Sequence, residues 1–323
     1  MTSETPSDSL RVVYMGTPDF AVPALEALID SHHEVVGVFT QPDRKSGRGK
    51  KVTAPPVKVV AERADLDVYQ PERLEGNDEA FAELTDLEPD VVVVAAYGQI
   101  LPERFLEIPR LGCVNIHASL LPEYRGAAPI NWAIVRGEDK TGVTLMQMDA
   151  GLDTGPILST HEVPIPAEMT AQELHDRLAD LGAEVIVDAL DRLGAGELEP
   201  TPQDDEASSY APMLSKSDGR IDWTRSGKEV ANHIRGFNPW PGAFAFHEHD
   251  GEQSRVKFHR AHAVSGHGEP GEVLEADPSE GKLVIACADG AIEVDEIQAP
   301  GRRAMEAGDF LNGYELSEGE HFV

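Results

Sequence analysis

Asn115 and His117 lie two residues apart in Asn115-Ile116-His117-Ala118-Ser119-Leu120-Leu121-Pro122, and Asp153 follows later in Asp149-Ala150-Gly151-Leu152-Asp153-Thr154-Gly155. On an extended strand, residues two apart point to the same face, which would set a neutral amide beside an imidazole where the strand ends. A carboxylate from a second loop completes a trio suited to attack on a carbonyl. The amide donates to a developing oxyanion, the imidazole exchanges or polarises protons near neutral pH, and the carboxylate orients the imidazole or relays a proton. Taken alone, an Asn-x-His pair also serves as a structural hydrogen-bonding pair. Asp153, between Gly151 and Gly155, also fits a plain turn.

The surrounding sequence must position these groups. Leu10–Met15 reads as a short apolar strand running into Gly16-Thr17-Pro18-Asp19, where Thr17 would cap a helix and Pro18 fit its first turn. Val35–Thr40 and Val91–Tyr97 are further β-rich runs with helical patterning between them. The expected class is α/β, with a largely parallel sheet covered on both faces. Gly16 lacks the companion glycines of a dinucleotide fingerprint, which disfavours NAD. Thr170-Ala171-Gln172-Glu173 forms a capping box before a helical stripe of Leu174, Leu178, Leu181, Val185 and Leu193, expected to be core. Residues 194–211 turn to Gly, Pro, Asp, Glu and Ser without apolar period, as in a solvated linker. Beyond them, alternating runs such as Arg255–His259 and Lys282–Ala286 suggest a small β-barrel or sandwich. The expected division is a tail at 1–9, a first domain at 10–196, a linker at 197–215 and a second domain at 216–323.

A length of 323 residues favours two cores over one, and 41% hydrophobic content opposes wholesale disorder. The longest apolar run, Val91–Ala96, is too short to cross a bilayer, and no secretory signal is expected in residues 1–9. Cys113 and Cys287 are the only cysteines, as suits a reducing, cytoplasmic setting. Cys113 shares the strand face of Asn115, which offers a catalytic thiol as one reading, although a small buried apolar residue is the better one. His247 and His249 would share a strand face, but no further ligands complete a zinc set, and no metal is expected. The net charge of −31 opposes a polyanionic partner at long range. At molar salt the Debye length shrinks to roughly 3 Å, which removes that objection, so the acid excess reads as adaptation to a halophilic, high-salt interior. Against this background Arg44, Lys45, Arg48, Lys50, Lys51 and Lys58 stand in a stretch, 44–61, that contains no acid. Such a run is usually a solvated loop, but here it would preserve local attraction for phosphate.

Several segments together resemble the methionyl-tRNA formyltransferases: Met15–Phe20, Phe39–Arg44, Asn115–Pro122, Tyr124–Pro129, Met146–Gly155, Ile221–Trp223, Ile234–Gly242 and Pro300–Met305. The resemblance runs nearly end to end. It implies a Rossmann-like formyl-transfer domain joined to an oligonucleotide-binding-like β-barrel that binds tRNA, with 10-formyltetrahydrofolate as formyl donor and the amine of initiator methionyl-tRNA as acceptor. Asn115, His117 and Asp153 match the family's catalytic trio, and Ser119, Leu120, Leu121 and Pro122 its folate-binding stretch. Arg44, Lys45, Arg48, Lys50 and Lys51 match a tRNA-binding insertion. Apart from the resemblance, Arg302 and Arg303 read with Arg235 as a second phosphate-facing surface, beside the plainer reading of exposed arginines near a chain end that are neutral to function. Ala118 stands where many relatives have glycine, adding a methyl on the pterin side. The implied product serves translation initiation, and a monomer is expected. Rival acceptors for the same trio are a nucleotide-sugar amine, glycinamide ribonucleotide, or water with release of formate. A silent nucleic-acid-binding protein would leave the trio unused.

Overall fold

The structure, a computed structural model, describes residues 9–46, 51–249 and 252–323. All but the last residue of the expected tail lies outside the described residues, as do Arg48 and Lys50 of the basic run. Ser9 itself is tied down, its hydroxyl donating to the His32 carbonyl at 2.8 Å.

Two compact units form. The first takes the described residues to Gly126, then Thr141–Val163 and His175–Tyr210; the second takes Ala127–Lys140, Pro164–Leu174 and Ala211–Val323. The interleaving differs from the contiguous division expected. Its cause is the helix Pro129–Val135, whose Trp132 indole donates to the Pro212 carbonyl (2.8 Å) and packs edge-on against Phe237, while Asn131 donates to the Gly236 carbonyl. Those side chains commit the helix to the C-terminal sequence.

The first unit is built on seven strands: β1 (Arg11–Gly16), β2 (Glu34–Phe39), β3 (Val68–Tyr69), β4 (Val91–Ala95), β5 (Cys113–His117), β6 (Lys140–Gln147) and β7 (Ile157–Pro164), ordered β7-β6-β5-β4-β1-β2-β3. β1 through β5 pair in parallel, and β6 runs antiparallel to β5. The four valines of β4 are all buried, as a strand covered on both faces requires. Gly16 is a packing glycine, since a Cβ there would meet Ala21 at 2.7 Å. Thr17 does not cap the following helix; its hydroxyl donates to the Tyr97 carbonyl (2.8 Å), tying the turn after β1 to the loop after β4.

Thr170 and Glu173 form the expected capping box at the start of α1 (Ala171–Gly194). Leu174, Leu178 and Leu181 are buried, whereas Val185 and Leu193 are half-buried and Ile186, Ala189 and Leu190 take the inner positions. The stripe drifts because successive inner residues follow the 3.6-residue turn. At Gly182 a Cβ would lie 2.9 Å from Ile116, so this glycine lets the helix seat closely on β5. With Ile116 turned towards α1, Asn115 and His117 share the opposite face.

The second unit carries β8 (Ala243–His249), β9 (Glu252–Val264), β10 (Val273–Asp277), β11 (Lys282–Ala286), β12 (Ala291–Gln298) and β13 (Met305–Glu306), ordered β8-β9-β12-β11-β10 with β13 beside β12. Both edges are used by the chain's last residues. Phe246 on β8 exchanges hydrogen bonds with Val323, while Val273 and Gly271 at β10 bond Glu320 and Phe322. The tail thus closes the sheet into the expected barrel, around a core that includes Trp223, Phe258, Phe310 and Phe322. His247 points into that core and bonds the Tyr314 hydroxyl through Nδ1 at 3.0 Å.

A second helix, α2 (Gly227–Gly236), starts at a Ser226–Glu229 capping box. Its His233 packs edge-on against Phe237, and burial pushes the imidazole down to about 4, only partly offset by the Gly219 carbonyl. Because the folded value lies below the ordinary 6.5, this contribution to stability is complete above pH 6.5 and is lost as pH falls towards 4. The expected loss is about 3 kcal/mol. Urea unfolding at pH 7 and pH 4.5 measures it, and His233→Leu should flatten that difference; an unchanged difference would assign the acid sensitivity elsewhere.

Candidate active site

β5 delivers Asn115 and His117 at its C-terminal end, beside the ends of β1 and β4, where the crevice of an open parallel sheet lies. Asp153 arrives on the loop between β6 and β7. Its Oδ1 lies 3.5 Å from Asn115 Nδ2 and 3.7 Å from His117 Nδ1, and its Oδ2 accepts the Gly126 backbone N–H at 2.8 Å. The expected trio therefore converges, with His117 buried and Asn115 half-buried.

The remaining ring nitrogen of His117, Nε2, lies 3.0 Å from the Tyr124 carbonyl. A carbonyl only accepts, so Nε2 carries a proton and Nδ1 is the nitrogen that gains or loses one beside Asp153. Asp153 and Tyr124 both adopt left-handed backbone conformations, with φ of +54° and +59°. Conformations of this kind cost on the order of 1–3 kcal/mol and persist only where surrounding contacts hold them.

Those contacts come from the segment expected to be a solvated linker. Gln203 donates through Nε2 to the carbonyls of Asp153 (2.9 Å) and Gly155 (2.6 Å). Its Oε1 accepts from Arg125 Nε and Nη2, and Arg125 also donates to Asp205. Ser209 accepts the Tyr124 N–H on its hydroxyl and the Arg125 N–H on its carbonyl. Thr201 exchanges backbone hydrogen bonds with Ile157. Residues 201–209 are thus a strap over both loops of the site. No periodicity marks them; the presence of Gln203 and Ser209 among acids and prolines was the only local signal. Gln203→Leu is expected to reduce kcat by roughly 10- to 100-fold through loosening of the Asp153 loop, with little change in KM. Steady-state kinetics with a thermal melt check this, and an unchanged kcat would show that the strap does not govern the loop.

The segment after β5 is held from within. Ser119 is fully buried, its hydroxyl donating to the Glu123 carbonyl at 2.6 Å, while Thr144 donates to the Ser119 carbonyl and accepts the Leu121 N–H. Ala118 and Leu121 are buried; Leu120 and Pro122 are half-buried. Burial pushes the Cys113 thiol up to about 12, so it holds its proton at neutral pH and the thiol-nucleophile alternative falls.

The basic residues separate. Arg44 is exposed and donates to Gln41 Oε1 (2.9 Å), and Lys45 and Lys51 sit on a short hairpin, Arg44–Ser46 with Lys51–Thr53. Lys58 is spent on Asp43 at 2.9 Å. Arg302 and Arg303 are exposed. Arg235 corrects the expectation of a phosphate-facing residue. It is 7% exposed and its guanidinium donates to Asn232 Oδ1 and to the Met169 carbonyl, so it is an internal brace. A two-residue Arg-Gly signal cannot distinguish that role from an exposed one. Among the described residues His32, His33 and Asp191 also approach one another. Leu10 N–H points at His33 Nδ1 (3.3 Å), which puts the neutral ring's proton on Nε2 and leaves that nitrogen no lone pair for a cation.

Residues 10–190 match the formyl transferase family and residues 213–315 the formyl transferase C-terminal domain family. The chain is 48% identical over 310 residues to methionyl-tRNA formyltransferase of Citrifermentans bemidjiense, covering 96% of this chain and 95% of that one. It is 47% identical over 312 residues to the enzyme of that name from Caldanaerobacter subterraneus, covering 96% and 99%. Among solved structures, an N-formyltransferase from Helicobacter canadensis in complex with folinic acid and dTDP-3-aminofucose shares the fold, with a TM-score of 0.66 at 20% identity over 90% of this chain and 99% of that one. HypX from Aquifex aeolicus in complex with tetrahydrofolic acid has a TM-score of 0.59 at 18% identity, covering 98% of this chain and 51% of that one. On these two family matches and near-full-length relatives, the chain belongs to the methionyl-tRNA formyltransferase family.

Proposed function

We infer that the protein is an enzyme that transfers a formyl group from 10-formyltetrahydrofolate to the amino group of initiator methionyl-tRNA, giving the formylated tRNA used in translation initiation. The observation that carries this reading is the convergence of Asn115, His117 and Asp153 at the end of β5 in a chain of this family. The methionyl amine attacks the formyl carbon. Asn115 Nδ2 and protonated His117 Nδ1 donate to the tetrahedral oxyanion, and Asp153 supports the imidazolium charge. As the carbon–nitrogen bond to folate breaks, Asp153 helps the proton lost by the amine reach the departing folate nitrogen. No covalent enzyme intermediate is needed. The backbone of Ser119–Pro122 and the half-buried Leu120 and Pro122 supply a wall for the folate; no metal or NAD enters the reaction.

In this reading the first unit carries the formyl-transfer chemistry and the barrel within 216–323 binds tRNA. Arg44, Lys45, Arg48, Lys50, Lys51, Arg302 and Arg303 contact its phosphates, and unchanged tRNA affinity and turnover in Arg48→Ala would remove the insertion from that role. The protein acts as a cytoplasmic monomer. Among the described residues no helix is long and apolar enough to cross a membrane. The excess of 58 acids over 27 Lys and Arg suits a high-salt interior, where counterions relieve self-repulsion. The melting temperature should therefore rise continuously into molar KCl; greatest stability in dilute buffer would refute the salt adaptation.

The test of function is incubation with 10-formyltetrahydrofolate and initiator methionyl-tRNA in molar KCl, followed by mass spectrometry of the aminoacyl group. Formylmethionine that disappears in His117→Ala supports the reading. Unformylated tRNA with folded protein transfers the assignment to a small-molecule amine or to formate release.

A further inference from the structure

The outer face of the β8–β9 hairpin combines aromatic rings with arginines stacked on them. Strand alternation turns Ala243, Ala245 and His247 inward opposite Phe258, Val256 and Ser254, and places Phe244, itself buried at 7% exposure, and the half-buried Phe246 on the other face opposite Lys257 and Arg255. Arg220 joins this face from the preceding segment, which runs parallel to β8 at Phe244 and is fixed by the Ile221 N–H to Phe244 carbonyl bond of 2.8 Å. The approach depends on Gly219, where a Cβ would lie 2.2 Å from the Gly242 carbonyl.

The two rings pack edge-to-face, 5.6 Å apart. The Arg255 guanidinium lies 3.6 Å from the centre of the Phe244 ring, and that of Arg220 lies 5.8 Å from the Phe246 ring. Stacking of this kind fixes a guanidinium while leaving its N–H edge available. Some cations elsewhere in this acidic chain are spent on carboxylates: Arg11 on Glu34, Arg104 on Asp78, Arg177 on Glu184, Arg260 on Glu173 and Lys282 on Glu275. Among the described residues Arg220, Arg255 and Lys257 have no carboxylate within ion-pair distance. The acid on the same strand face, Glu248, stands opposite Gln253 at the far end of the hairpin.

We propose that this face, made by Arg220, Phe244, Phe246, Arg255 and Lys257, binds the phosphate backbone of the tRNA substrate. The proposal rests on the formyl-transfer reading for the identity of the RNA and on charge complementarity for the occupant. Three carboxylate-free cations on one face match a run of phosphates, with Arg255 and Lys257 separated by roughly 7 Å along the strand. In concentrated salt, long-range attraction is screened, and cations already held in place retain their value at contact. Trp240, 51% exposed on the turn that leads into β8, adds an aromatic surface suited to an unstacked base.

The test compares full-length wild type with R220Q/R255Q/K257Q and with R220K/R255K, in steady-state formylation and in filter binding of the tRNA across a KCl series. The neutral triple variant is expected to raise KM and Kd for tRNA at least tenfold, with the folate KM and the melting temperature held. The slope of log affinity against log salt should become shallower by about 2 to 3, as for loss of three phosphate contacts. The lysine variant should retain most of the binding. Unchanged affinity and slope in the triple variant overturn the proposal, as does equal loss in the charge-retaining variant, which would mean a packing role. Altered sedimentation without altered tRNA binding would assign the face to a second copy of the chain and also overturn it. If the wild type fails to formylate the tRNA yet binds it, the functional reading fails alone, and the same binding comparison still decides the face.

Discussion

Asp153→Asn is expected to lower kcat by roughly 10²- to 10⁴-fold while leaving the fold and the folate KM close to wild type. The amide preserves the size of the side chain, and its oxygen can still accept the Gly126 N–H that now holds Oδ2 at 2.8 Å. What it removes is the negative charge 3.7 Å from His117 Nδ1. Because the Tyr124 carbonyl accepts the Nε2 proton, His117 can donate to an oxyanion from Nδ1 only as the imidazolium, and in the proposed mechanism Asp153 supports that charge. His117→Ala should produce a loss of the same order. If the two residues act as one unit, the double variant should be little worse than either single variant. Measured kcat values for the three proteins decide this: additive losses would mean that Asp153 and His117 serve separate steps, and an active Asp153→Asn enzyme would remove the carboxylate from the chemistry.

The second large effect is expected at a residue without a side chain. At Gly155 a Cβ would lie 1.8 Å from the Gln147 carbonyl oxygen. Gln147 cannot readily yield, because it ends β6, faces Val114 on β5 and donates its own N–H to the Pro156 carbonyl. Gly155→Ala must therefore push the loop that carries Asp153, and it also moves one of the two carbonyls that Gln203 holds. A displacement of about 1 Å at the catalytic groups is enough to cost on the order of 10²-fold in rate. Overpacking of this kind should add roughly 1–3 kcal/mol of destabilisation, which in a unit of this size is a fall of about 2–4 °C in Tm per kcal/mol. Gly313→Ala is the matched control, since a Cβ there meets nothing within 4 Å. Equal Tm and kcat in both variants would mean that the loop can open without consequence.

Local sequence carried further for the site than for the domains. Asn115 and His117 could be paired from alternation alone, because a strand's period of two is a property of the backbone. The capping box at Thr170 and Glu173 was equally legible, being satisfied within one helical turn. Asp153 could be named as a candidate, but whether it was a turn residue or a catalytic one depended on loops brought together from distant parts of the chain. Thr17 illustrates the opposite case: its local position favours a helix cap, and a distant carbonyl at Tyr97 competes successfully for the same hydroxyl.

Residue types and their spacing by themselves determined the α/β class, the second β-rich unit, the Asn115–His117 pair and the near-neutral carbonyl chemistry these groups suit. Those features arise from periods and functional groups that act over a few residues. Only the tertiary structure decided that Gln203, Arg125 and Ser209 strap the loops carrying Asp153 and Tyr124, that Arg235 is an internal brace, and that Trp132 draws its helix into the C-terminal unit. Each depends on hydrogen bonds between residues tens of positions apart, or on whether a charged side chain finds internal carbonyls in place of water. Such partners are selected by chain topology and by the cost of burying an unpaired polar group, neither of which is written in the neighbouring residues.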